Sequence, residues 1–100
     1  MVKHIILWQL RDELSCQEKA EAKKGIKEGL ESLLGKIEGL KEIKVYTEGL
    51  DSSNADVMLY SVFEDELSLK GYAAHPEHLA VANSKVRPFT KTRLCLDFND

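Results

Sequence analysis

One hundred residues, 43% hydrophobic and 31% charged, predict a single globular domain. A chain of this length buries only ~60–65% of its unfolded surface, so the core is modest and a partner subunit would help. The net charge of −3 excludes the basic footprint that nucleic acid demands, and no run approaches the ~20 apolar residues of a membrane span.

The opening MVKHIILWQLRDE does not read as a signal peptide, because charge follows the apolar run at once and no small-residue cleavage site appears. Val2 to Leu10 predicts the first strand. His4, Ile6, Trp8 and Leu10 share one face; Ile5, Leu7 and Gln9 share the other. Both faces are largely apolar, so both should be covered.

Ser15 and Glu18 form the capping box that opens a helix running to about Leu34. Its apolar stripe is Ile26, Leu30, Leu33 and Ile37, at the three- and four-residue spacing of one helical face. Gly25 and Gly29 interrupt it at a cost of up to ~1 kcal/mol each relative to alanine, which suggests a close approach of the helix to the sheet. Gly35 or Gly39 should end it. Lys41 to Glu48 alternates, with Ile43, Val45 and Thr47 on one side, and predicts a second strand with its other side nearer water. A loop follows, and Asp56 to Phe63 reads as a third strand, apolar on both faces.

Asp65 can cap a short helix from Glu66 to about Ala74. His75 precedes Pro76 and is pushed out of helical geometry, while Pro76 suits the first position of a new helix. That helix should run to about Val86 with Leu79, Ala82 and Val86 inward, and Pro88 stops it. Thr90 to Phe98 is the last strand. The order predicts an α+β, ferredoxin-like βαββαβ domain over residues 1–100, an antiparallel sheet with helices on one face. The bare face is too apolar to stay wet, so a second copy should cover it, sheet against sheet, in a homodimer.

With these residues in place, the chain resembles the stress-responsive dimeric α/β-barrel family along its whole length. The resemblance rests on VKHIILWQL with its early histidine, on GYAAHPEH, on the closing LCLDF strand, and on length and element order. It implies a homodimer whose two sheets form a barrel with helices outside, and it implies no single activity. One branch of the family is similar to olivetolic acid cyclase, a plant polyketide cyclase. By that likeness His78 is the general base and Tyr72 its partner, and His4 lines the same pocket. The chain departs from the branch at Gly25-Ile26-Lys27, where a pocket tyrosine would stand, and at Val57, where a further histidine would.

Taken on their own, these residues support two readings. At about 100° per residue Ala82 lies roughly 40° from His78, which puts His78 at the edge of the apolar face. A histidine there can accept a proton near neutrality or simply be a hydrogen-bonded structural residue. His75 suits a helix cap. His4 among apolar neighbours reads as a satisfied core residue, and Trp8 as core. The enzymatic reading makes His78 and Tyr72 catalytic in a cyclase- or isomerase-like reaction, with His4, Ile6, Trp8, Leu59 and His75 around a small apolar or aromatic carbonyl ligand. The other reading is a non-enzymatic stress-protective assembly.

No metal site or cofactor is expected. His75-Pro-Glu-His78 is not the H-E-x-x-H zinc pattern, and no glycine-rich phosphate loop is present. Cys16 and Cys95 fit no spacing motif, which predicts reduced thiols in a cytoplasmic protein. Cys95, inside an apolar strand, is expected to be inert.

Overall fold

The computed structural model describes residues 1–100. Four strands form one antiparallel sheet in the order β2-β3-β1-β4. They are β1 (Val2–Leu10), β2 (Leu40–Tyr46), β3 (Val57–Phe63) and β4 (Thr90–Asn99). Helices α1 (Cys16–Glu31), α2 (Glu66–Ala74) and α3 (Pro76–Val81) complete the ferredoxin-like order. No helix is long and apolar enough to cross a membrane.

The strand periodicity decides which face carries the core. On β1, residues Val2, His4, Ile6, Trp8 and Leu10 are buried, and the residues between them are half-buried. The buried set meets Phe63, Ser61, Leu59 and Val57 of β3 across the ladder, then Leu40, Ile43 and Val45 of β2. Ala22, Ile26 and Leu30 of α1 cover them, together with Leu33 and Ile37 beyond its end.

The caps form as their side-chain chemistry requires. Ser15 Oγ accepts from Glu18 N at 3.1 Å, and Glu18 Oε1 accepts from Ser15 N at 2.8 Å. Asp65 accepts from Ser68 N at 2.8 Å to start α2. Helix α1 stops at Glu31, short of Leu34. Ser32 Oγ donates to Gly29 O at 2.7 Å, and the chain then tightens into three-residue turns such as Leu33 N to Leu30 O. The left-handed backbone falls at Gly35 and Gly39, with φ of 88° and 85°. At Gly39 a β-carbon would also stand 2.1 Å from Ser68 Oγ, so both backbone and space demand glycine there.

Of the two interior glycines of α1, Gly29 allows a close approach, but to another helix and not to the sheet. A β-carbon on Gly29 would meet Val81 Cγ1 at 2.9 Å, whereas one on Gly25 would make an ordinary 3.6 Å contact with Lys85 Cδ. Nor does the helix begun at Pro76 continue unbroken to Val86. It widens after Val81 into a π-helical turn, Ala82–Val86, closed by Arg87 N on Ala82 O. Pro88 explains the change. It brings no N–H to an ordinary ladder and its ring crowds the preceding turn, so the chain opens before it.

The second face of the sheet has no helix on it. Its rows run Leu94, Leu7, Met58, Tyr46 and Leu96, Ile5, Tyr60, Lys44 across β4, β1, β3 and β2. Leu94 and Leu96 are 64% and 63% exposed.

Candidate functional site

Between the helix face of the sheet and the α3 segment lies a cavity of about 520 Å³. The strands contribute His4, Ile6, Trp8 and Leu59; the helical side contributes Tyr72, His78, Ala82 and Val86. Six of the seven residues singled out from the sequence therefore border one space. The seventh, His75, does not. Its side chain accepts from Glu77 N at 3.1 Å and caps α3, which is the local task a residue before proline is placed to do.

Tyr72 is 2% exposed, and its hydroxyl is the one buried side-chain oxygen or nitrogen without a hydrogen-bond partner. Helix α2 turns its ring inward against Phe63, with ring centroids 4.9 Å apart, and the His78 ring centroid lies 4.2 Å from that of Tyr72. Burial raises the Tyr72 pKa far above the ordinary value of 10.0, with Arg93 opposing. The hydroxyl thus stays protonated and is a donor in want of an acceptor.

His78 bonds through Nδ1 to Ala73 O at 3.3 Å. Since a carbonyl only accepts, Nδ1 carries the proton in that bond and Nε2 holds the free lone pair. Burial lowers the His78 pKa below 6.5, and the charges of Arg87 and Arg93 push the same way against the Ala73 bond. A neutral base and a neutral acid therefore stand side by side at pH 7. The shift also has a stability consequence. The unfolded chain protonates this ring at higher pH than the native one, so native stability is full above 6.5 and declines below it. Between 6.5 and 4.5, the latter being the ordinary value for Glu31, a denaturation series should show this decline in the native sequence and a flatter profile in His78→Asn. Equal slopes would remove the assignment.

The mouth of the cavity is cationic, with Arg87, Lys91 and Arg93. Arg87 is engaged by Asn83 and Lys91 by Asp12. Arg93, facing the helix side of β4 opposite Trp8, has no carboxylate partner. Nothing in the sequence reading marked it. Only the sheet register reveals that it shares the cavity with His78.

The setting of Cys95 differs from the apolar one expected. The apolar residues of β4, Leu94, Leu96 and Phe98, lie on the bare face, whereas Cys95 lies on the helix face beside His4 and Asp97. It is exposed, and burial followed by the Asp97 charge raises its pKa, which disfavours a free thiolate nucleophile. His4 is satisfied, as its core position suggested: Asp97 holds its Nδ1, and its ring sits edge-on to Phe63 and Tyr72.

Comparison with known proteins gives one family and one shared fold. The sequence profile described as "Stress responsive A/B Barrel Domain" matches residues 2–100. A Bacteroides fragilis crystal structure, described as a dimeric protein of unknown function with a ferredoxin-like fold, is 33% identical with a TM-score of 0.92. The match covers 99% of this chain and 95% of that one. A dimeric ferredoxin-like protein of unknown function from Thermobifida fusca is 22% identical, TM-score 0.77, over 97% and 88% of the two chains. A hydroxynitrile lyase from Passiflora edulis shares the fold at 17% identity, TM-score 0.72, over 97% and 90%. No curated protein matches the chain.

Proposed function

Because this chain belongs to the stress responsive A/B barrel domain family, we propose that it works as a homodimer, joined through the bare sheet face, in which each subunit binds a small apolar or aromatic carbonyl compound. Relatives described as dimeric support the assembly. The free state of both thiols is consistent with a cytoplasmic setting.

The observation that carries the ligand reading is the unpartnered Tyr72 hydroxyl, buried at the wall of a cavity beside a neutral histidine. An unsatisfied buried hydroxyl costs about 1–3 kcal/mol, so a fold that keeps one has reason to fill it with a guest. A carbonyl oxygen is a suitable acceptor. The Ile6, Trp8, Leu59, Ala82 and Val86 side chains suit an apolar body, and Arg93 favours negative charge at the mouth. In this arrangement His78 Nε2 takes a proton from the carbon or oxygen next to the carbonyl. Tyr72 donates to the oxygen as negative charge grows there.

A melting screen across aromatic and β-keto acids tests the reading, since a ligand bound only to the native state raises the midpoint. At least one class should raise it, and solvent deuterium should then exchange next to the carbonyl of that compound. His78→Ala should abolish the exchange while the dimer persists. A panel that leaves the midpoint unmoved, or an exchange rate unchanged in His78→Ala, would refute it.

A further inference from the structure

Strand β4 places Cys95 and Asp97 on one face, two residues apart, and the register sets His4 of β1 directly opposite Asp97. An imidazole nitrogen, a thiol sulfur and a carboxylate oxygen thus converge within 4.8 Å of one another. Cys95 Sγ is 3.9 Å from His4 Nδ1 and 3.5 Å from Asp97 Oδ1. Zinc–ligand bonds of about 2.0–2.3 Å give a tetrahedron with edges of about 3.5 Å. Two edges of that figure are already near this length. The third, between His4 and Asp97, is closed by a hydrogen bond and opens when an ion takes the place of the shared proton.

We propose that His4 Nδ1, Cys95 Sγ and Asp97 form a three-ligand site for a divalent transition metal of the zinc type. The donor set excludes magnesium and calcium as preferred occupants, because mixed nitrogen and sulfur ligands suit softer ions. The fourth position faces a groove of about 570 Å³ bordered by Glu66, Leu69, Lys70 and Ala73. Three protein ligands with one open position leave room there for water or a small ligand. Binding releases the thiol proton to solvent, and the proton that His4 Nδ1 shared with Asp97 is replaced by the ion while the neutral imidazole carries its one N–H on Nε2. The resulting thiolate and the Asp97 carboxylate offset both charges of the ion, so Arg93, two residues before Cys95, faces a neutral centre. His4 supplies the rigid, buried corner on a central strand, and the exposed Cys95 and Asp97 give the ion access from solvent. His4 borders both spaces, but Cys95 and Asp97 lie outside the cavity that Tyr72 and His78 border, so variants at those two positions test the metal site separately from the carbonyl-ligand reading.

Titration of the tag-free chain with Co²⁺, in a reductant without thiols, tests the site. One equivalent should give tetrahedral d–d absorption with a thiolate-to-cobalt charge-transfer band, and Zn²⁺ should displace it. Cys95→Ser should abolish the charge-transfer band, while Cys16→Ser keeps it. Asp97→Asn should weaken binding at least about tenfold, the loss that even an outer-shell partner can cost. Cys95 and Asp97 are exposed, and the side-chain oxygen that Asp97→Asn retains can still accept from His4 Nδ1, so circular dichroism should show both variants folded. Absence of stoichiometric binding, an octahedral spectrum, a band that survives Cys95→Ser or one lost in Cys16→Ser would each overturn the proposal.

Discussion

Leu96→Lys should turn the homodimer into a folded monomer. Leu96 lies on edge strand β4 and is 63% exposed in the isolated subunit, so its replacement costs the monomer little. On the bare face, where the proposed dimer would join, it belongs to an apolar row with Ile5 and Tyr60. Burying a leucine is worth about 1.5–3 kcal/mol, and a two-fold axis counts each loss twice. With the added cost of burying an ammonium, association should weaken by roughly a thousandfold or more. Sedimentation velocity at concentrations where the native chain is dimeric reads this directly, and circular dichroism checks the fold. A Leu96→Lys protein that sediments as a dimer would place the interface elsewhere.

Tyr72→Phe should make the unliganded protein more stable and blind to its ligand. The hydroxyl is buried without a partner, and removing it relieves an unmet desolvation cost of about 1 kcal/mol or more. The ring keeps its contacts with Phe63 and His78. For a domain of this size that gain corresponds to a rise of about 4 °C or more in Tm. The same substitution removes the donor aimed at the carbonyl oxygen, so the ligand-induced rise in Tm should disappear. Gain of stability with loss of binding is the signature of a group kept for function. A fall in stability would show instead that the hydroxyl is satisfied, by water or by the second subunit, and that its role is structural.

The two substitutions probe opposite faces of one sheet, and the division between those faces was legible in the residues of β1. Alternation of Val2, His4, Ile6, Trp8 and Leu10 against Ile5 and Leu7 placed the core correctly because side chains on a strand repeat every two residues. The caps at Ser15 and Asp65 and the joint at His75-Pro76 were equally plain, since each is closed by hydrogen bonds between residues two or three apart. The helix ends were less legible. Competition from Ser32 Oγ and the crowding ahead of Pro88 shift the hydrogen-bond ladder by a turn without disturbing the apolar pattern.

The site divides along the same line. That Tyr72 and His78 lie near each other follows from six residues of chain folded at a proline joint. That the Tyr72 hydroxyl has no partner is a fact of packing among Phe63, His4 and α3, which no local pattern encodes.

The amino-acid order alone determined the element sequence, the inward residues of β1, β2 and α1, and the excess of apolar surface that calls for a second subunit. These follow from interactions over a few residues and from simple composition. Only the folded sheet decided that Cys95 and Asp97 face His4 across 91 and 93 residues of chain, and that Arg93 opens onto the cavity. Those neighbours depend on strand register, and a slip of one residue would turn every one of them to the other face.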